Sequence, residues 1–153
     1  MKSVGIICEY NPFHNGHLYH LECIKKMFPE HLIILVLSPS FTERGEISII
    51  NKWDKTKIAL EAGIDLVLEL PFPFATQSAD IFAKGAVKIL EYMNCEYLVF
   101  GSESNNIEVL NEIFCGDDGK FRCNDSGILV KYVKPYLFPL SSMTDKQKLE
   151  LIT

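Results

Sequence analysis

Along the first 114 residues, short continuous apolar runs alternate with segments whose apolar residues recur at helical spacing. Ser3 to Cys8 has strand length, and Tyr10-Asn11-Pro12-Phe13 cannot prolong it, because proline fixes φ and carries no N–H. His14-Asn15-Gly16-His17 then opens a helical pattern with Leu18, Leu21 and Ile24 predicted on one face, and Pro29 closes it. His31 to Leu37 is apolar throughout, the mark of a parallel strand covered on both sides. Residues 38–50 read as a loop. Asn51 is the expected N-cap of a helix running to Ala62, with Gly63 as its stop. Asp65 to Leu70 predicts a third strand ended by Pro71-Phe72-Pro73. A helix from the Ser78 cap to about Met93 follows, then a fourth strand at Tyr97–Phe100 and a short helix near 106–114.

Repeated β-α-β units of this kind predict an α/β fold: a Rossmann-like parallel sheet with right-handed crossovers and helices on both faces. Ligands of such sheets bind beyond the carboxyl ends of the strands, where the strand order reverses. Residues 9–17, the loop 38–46 and Gly101-Ser102-Glu103 all fall at those ends. Residues 115–127 are polar and turn-rich, so residues 1–114 are expected to form the domain and 115–153 a linker and a divergent or truncated tail. Within that tail, Pro135 and Pro139 prevent the apolar stretch 128–140 from being one long helix, and Thr144-Asp145-Lys146-Gln147 reads as a capped helix start.

Composition narrows the function. Hydrophobic residues make up 48% and charged residues 23%, which describes a globular chain rather than a disordered one. No apolar run reaches membrane-spanning length, and the N-terminus lacks the features of a signal peptide, so no membrane partner and a cytoplasmic setting are expected. The five cysteines (8, 23, 95, 115, 123) form no Cys-x-x-Cys pair, consistent with a reducing compartment. Net charge is −5, and residues 1–114 alone carry −6, so neither part of the chain is a basic platform for nucleic acid.

The chemistry concentrates in the first turn. A strand, a sharp turn and a helix N-terminus bring backbone N–H groups and the positive end of a helix dipole together, an arrangement suited to anions. His14 and His17 are three apart and emerge on one helix face, where imidazoles can hydrogen-bond phosphate oxygens as charge builds up in phosphoryl or nucleotidyl transfer. Gly16 would let a phosphate or adenine come close to the backbone. A zinc site would need a third ligand that this stretch lacks, so no metal site is predicted.

The segment resembles the His-x-Gly-His signature of the nucleotidyltransferase α/β phosphodiesterase superfamily. The longer string Glu9-Tyr10-Asn11-Pro12-Phe13-His14-Asn15-Gly16-His17 is similar to the bacterial tRNA(Met) cytidine acetate ligase family. Matching blocks follow in order at Phe41–Glu46, Asn51–Trp53 with Lys55–Lys57, Asp65–Pro71, Ala79–Ala83 and Phe100–Glu103. Pro39 and Glu43 stand where the family usually has Gly and Gln. The resemblance implies a two-step reaction in which ATP and acetate give acetyl-adenylate, and the wobble cytidine of elongator tRNA(Met) then takes the acetyl group. It implies ATP as substrate with Mg2+. It also implies a nucleotide site formed by Ile7, Cys8, Glu9, Tyr10, Asn11, Pro12, Phe13, His14, Asn15, Gly16, His17, Leu18, Tyr19 and His20, with Gly101 and Ser102. His14, His17 and Arg44 are the expected catalytic residues, Arg44 as a phosphate clamp.

The residues alone leave open another nucleotidyltransferase with a small phosphorylated acceptor, or a module that only binds nucleotide. Ligases of the resembled family carry a C-terminal helical portion that helps bind ATP and tRNA, so weak tRNA acetylation is expected of this chain alone. Lys52, Lys55 and Lys57 read equally as a solvated basic face or as phosphate contacts, Trp53 as packed, and Glu69 as a solvated strand end rather than a magnesium ligand.

Overall fold

The structure is a computed structural model that describes residues 2–102 and the strand at 134–139. Its elements are β1 (Ser3–Cys8), α1 (Asn15–Met27), β2 (Leu32–Leu37), α2 (Lys52–Glu61), β3 (Leu66–Glu69), α3 (Phe72–Ala75), α4 (Ala79–Tyr92), β4 (Tyr97–Ser102) and β5 (Lys134–Pro139). The sheet order is β3-β2-β1-β4-β5. Strands β1 to β4 are parallel, as the β-α-β alternation predicts, whereas β5 runs antiparallel to β4 along its whole length. The sheet is therefore mixed at one edge, and part of the predicted tail belongs to it. The helices expected near 106–114 and after Thr144 lie outside the described residues.

Alternation along β2 shows why helices cover both faces. Ile33, Leu35 and Leu37 point into a core with Leu21 and Ile24 of α1 and Ala59 of α2. Ile34 and Val36 point the other way, into a core with Ala75 of α3 and Phe82, Ala86, Val87 and Leu90 of α4. Leu21 and Ile24 are fully buried, and each contributes about 1.5–3 kcal/mol from burial of its side chain. Leu18 departs from the predicted apolar face and is 40% exposed. The inward stripe instead runs from half-buried His17 through buried Leu21, Ile24 and Phe28. The Pro71-Phe72-Pro73 break also begins a short helix, which proline tolerates in the first turn. Among the described residues no helix is long and apolar enough to cross a membrane.

Strand order reverses at β1. The chain builds outward through β2 and β3, then returns to place β4 on the other side. β1 is in register with β2 over six residues, but with β4 at Val4–Tyr97 and Gly5–Leu98. The carboxyl halves of β1 and β4 thus part where a doubly wound sheet binds its ligand.

Candidate functional site

Leaving β1, the backbone turns sharply: Tyr10 sits in the left-handed region at φ +47°, and the Asn11–Pro12 peptide is cis. The Tyr10 ring is buried, edge-on to Phe13 at 4.9 Å and 4.7 Å from His17. Its hydroxyl and the Cys8 thiol hydrogen-bond each other, and burial pushes the thiol up to about 12, so Cys8 stays protonated and unreactive.

His14 is the N-cap of α1, an unusual residue for that position. Its Nδ1 accepts from the Gly16 amide at 3.1 Å, and its own amide donates to Nδ1 of His17 at 3.2 Å. The two imidazoles stack with centroids 3.8 Å apart. This reciprocal cap fixes chemistry as well as geometry. A ring whose Nδ1 accepts a hydrogen bond is neutral with its proton on Nε2. Both histidines therefore present Nε2–H donors. Burial pushes His17 down to about 4, with repulsion from His14 and His20, should those rings take up a proton, adding to it, and burial alone does the same to His20. His17 is thus a neutral donor at physiological pH. The amides of His14 and Gly16 are already engaged, so the turn offers an anion two imidazole donors and a helix dipole rather than a row of bare amides. Gly16 serves the cap too: a Cβ there would lie 2.9 Å from Cε1 of His14.

These groups border an open cleft of about 900 Å³ formed by residues 7–12, His14, His17, loop residues Thr42 to Arg44 and Glu46, and Ala79 and Phe82 of α4. The Thr42–Glu46 turn closes through a hydrogen bond from the Thr42 amide to the Glu46 carbonyl, with Gly45 at φ +79°. The turn is tied to β1, since Oε1 of Glu9 accepts from the Glu43 amide at 2.6 Å. Desolvation raises the Glu9 carboxyl, opposed by that hydrogen bond and by the charges of Lys55 and Arg44. Asn11 holds the same loop further on, its Oδ1 accepting from the Ser48 hydroxyl at 3.0 Å and the Ile49 amide at 2.7 Å.

Of the residues predicted to bind nucleotide, Ile7 to Pro12, His14 and His17 thus share one cleft with Arg44. Phe13 packs against Tyr10 and His17 beneath it. Asn15 and Gly16 form the exposed first turn of α1, Leu18 and Tyr19 face outward, and Nε2 of His20 is buried with no hydrogen-bond partner among the described residues. Gly101 and Ser102 end β4, across the gap from β1.

The lysine cluster divides three ways. Lys52 pairs with Glu69 at 2.7 Å, which engages the carboxylate considered for magnesium. Lys57 is exposed beside Glu61. Lys55 is 1% exposed, and its Nζ donates to the carbonyls of Glu9 and Ser38 at 2.9 Å each, a burial that sequence reading missed. Trp53, expected to pack, is 74% exposed because α2 buries Lys55 and Ala59 and so turns position 53 outward. Among the described residues no group of three or more His, Cys, Asp or Glu could hold a metal ion.

A doubly wound sheet with paired histidines capping the first helix defines a nucleotide-handling α/β domain. The chain belongs to the HIGH nucleotidyl transferase family, whose sequence model matches residues 1–120. It is 56% identical over 108 residues to the tRNA(Met) cytidine acetate ligase of Anoxybacillus flavithermus, covering 71% of this chain and 27% of that protein. It is 45% identical over 140 residues to the ligase of the same name from Caldicellulosiruptor saccharolyticus, covering 90% and 33%. The crystal structure of Thermotoga maritima TmcAL bound with alpha-thio ATP matches 75% of this chain and 28% of that one, with a TM-score of 0.70 and 48% identity. The chain thus spans about a third or less of the length of these relatives.

Proposed function

We propose that this domain binds ATP with its phosphates against His14 and His17 and performs the adenylating step of a tRNA(Met) cytidine acetate ligase. The observation that carries the reading is the stacked pair of imidazoles, each with an Nε2–H to donate, at a helix N-terminus bordering the cleft. The first turn of α1 carries no acidic residue, whereas α2 and α4 have Asp54 and Asp80 in theirs. The dipole of α1 is therefore not already offset by a carboxylate of its own first turn. The ATP analogue bound to TmcAL supports the same nucleotide, and the relatives' names support the ligase reading.

In the first step an acetate oxygen attacks the α-phosphorus and the bond to the bridging oxygen breaks, releasing pyrophosphate. Charge gathers on the non-bridging and leaving oxygens, where the two Nε2–H donors and the Arg44 guanidinium stabilise it. In the second step the exocyclic amine of the wobble cytidine attacks the acetyl carbon, AMP leaves, and the amine gives up a proton. Gly101 and Ser102 are assigned to the adenosine, at the β1–β4 gap. A magnesium ion arriving with ATP would find its ligands chiefly in phosphate oxygens and water. Residues 1–114 would do this work, with residues 115–153 as a linker and a divergent or truncated tail.

Pyrophosphate release from ATP with acetate, measured with and without tRNA(Met), tests the reading. Acetate-dependent release is expected, and His17→Ala should reduce it at least about a hundredfold, the loss typical of removing one preorganised donor. Release that ignores acetate but responds to a phosphorylated small molecule would assign the site to a different nucleotidyl transferase.

A further inference from the structure

We propose that Lys55 is a positioning residue whose ammonium ties the exits of β1 and β2 together and thereby holds the Arg44 loop against the His14–His17 turn. Its consequence for ATP rests on the function proposed above. Lysine is almost never fully buried unless its charge is satisfied. Lys55 lies inside at 1% exposure with its Nζ shared between the carbonyls of Glu9 and Ser38. Those carbonyls belong to the residues just past β1 and β2, where both chains leave the sheet.

The ties then continue outward. The side chain of Glu9 accepts from the Glu43 amide, and Asn11 accepts from Ser48 and Ile49. The loop that carries Arg44 is therefore hung from the turn near both of its ends, and the turn is hung from Lys55. A position that required packing alone would accept Met at lower desolvation cost. Removing the cation leaves two carbonyls without their donor and takes from Glu9 one of the two cations, Arg44 being the other, that favour its carboxylate.

Amide hydrogen exchange and calorimetric ATP titration on the whole chain test this, using Lys55→Met, Lys55→Arg and Asn11→Ala. In Lys55→Met the Glu43 and Ile49 amides should exchange about tenfold faster and ATP should bind about tenfold more weakly, the scale of one lost hydrogen bond to a charged group. The β2 amides should keep their protection. Lys55→Arg, which keeps the charge but misplaces its donors, should fall between wild type and Lys55→Met. Asn11→Ala should loosen Ile49 while leaving Glu43 protected. Wild-type protection of Glu43 in Lys55→Met, or an equal loss across β1 and β2, overturns the proposal. If Lys55→Met does not fold, wild-type exchange and affinity in Lys55→Arg overturns it. A wild-type chain that binds no ATP defeats the nucleotide reading instead, and the exchange measurements then decide the role of Lys55.

Discussion

Acid should unfasten the first helix before it touches the core. His17 accepts the His14 amide at Nδ1, so protonating that nitrogen breaks the cap, and burial holds both His17 and His20 down to about 4 in the folded chain. Unfolded, each titrates near 6.5. Between those values the unfolded state binds more protons than the native one, so stability rises with pH there and is lost as pH falls from 6.5 towards 4. One ring moved that far is worth about 3 kcal/mol when fully shielded. Both rings keep some contact with solvent, which brings the pair to about 2–4 kcal/mol together. Glu9 acts in the opposite sense: its folded carboxyl is raised, so the native state takes up its proton first and regains some stability at the lower end of the window.

Urea denaturation followed by circular dichroism at intervals from pH 7.5 to 4.5 measures the slope. The wild type should lose about 2–4 kcal/mol over that range, and a His17→Gln/His20→Gln double variant should lose less than half as much. A flat profile between pH 7 and 5, or a double variant with the full wild-type slope, would refute the assignment of neutral, buried imidazoles.

Two other substitutions probe the local structure. Gly16→Ala places a methyl 2.9 Å from the His14 ring and should dislodge the cap, costing about 1 kcal/mol in denaturation midpoint and lowering ATP affinity alongside. Asn51→Ala removes the acceptor for the Trp53 and Asp54 amides, both at 3.0 Å, and should cost about 1 kcal/mol of stability with α2 loosened in amide exchange.

What the sequence made legible was local. The apolar run of β2, the Asn51 cap and the Gly63 stop each depend on a few neighbouring residues, and each appears where it was expected. The convergence of the first turn and the Arg44 loop was also legible, because carboxyl-end loops of a parallel sheet must meet. Side chains that act across 17 residues or more were not. Lys55 sits between two other lysines, and nothing in that spacing reveals carbonyl partners at Glu9 and Ser38. The capping role of His14 was hidden because imidazole is a rare N-cap, and it changed the reading of Gly16 from ligand clearance to room for a ring. β5 was missed because its two prolines argue against a strand, although the edge of a sheet accepts them.

The outward-facing Trp53 sets the optical behaviour of the molecule. It is the chain's single tryptophan, it is 74% exposed, and Lys52 Nζ lies 5.2 Å from its ring. With that exposure its native emission should already be that of a hydrated indole, so unfolding of the two cores should pass with little change in tryptophan colour while the ellipticity collapses. The same ring stands at the start of α2, four residues after Ile49, on the stretch that Asn11 fastens to the first turn. A soluble quencher titrated against it therefore reads the accessibility of that one corner of the sheet and is nearly blind to the rest of the protein.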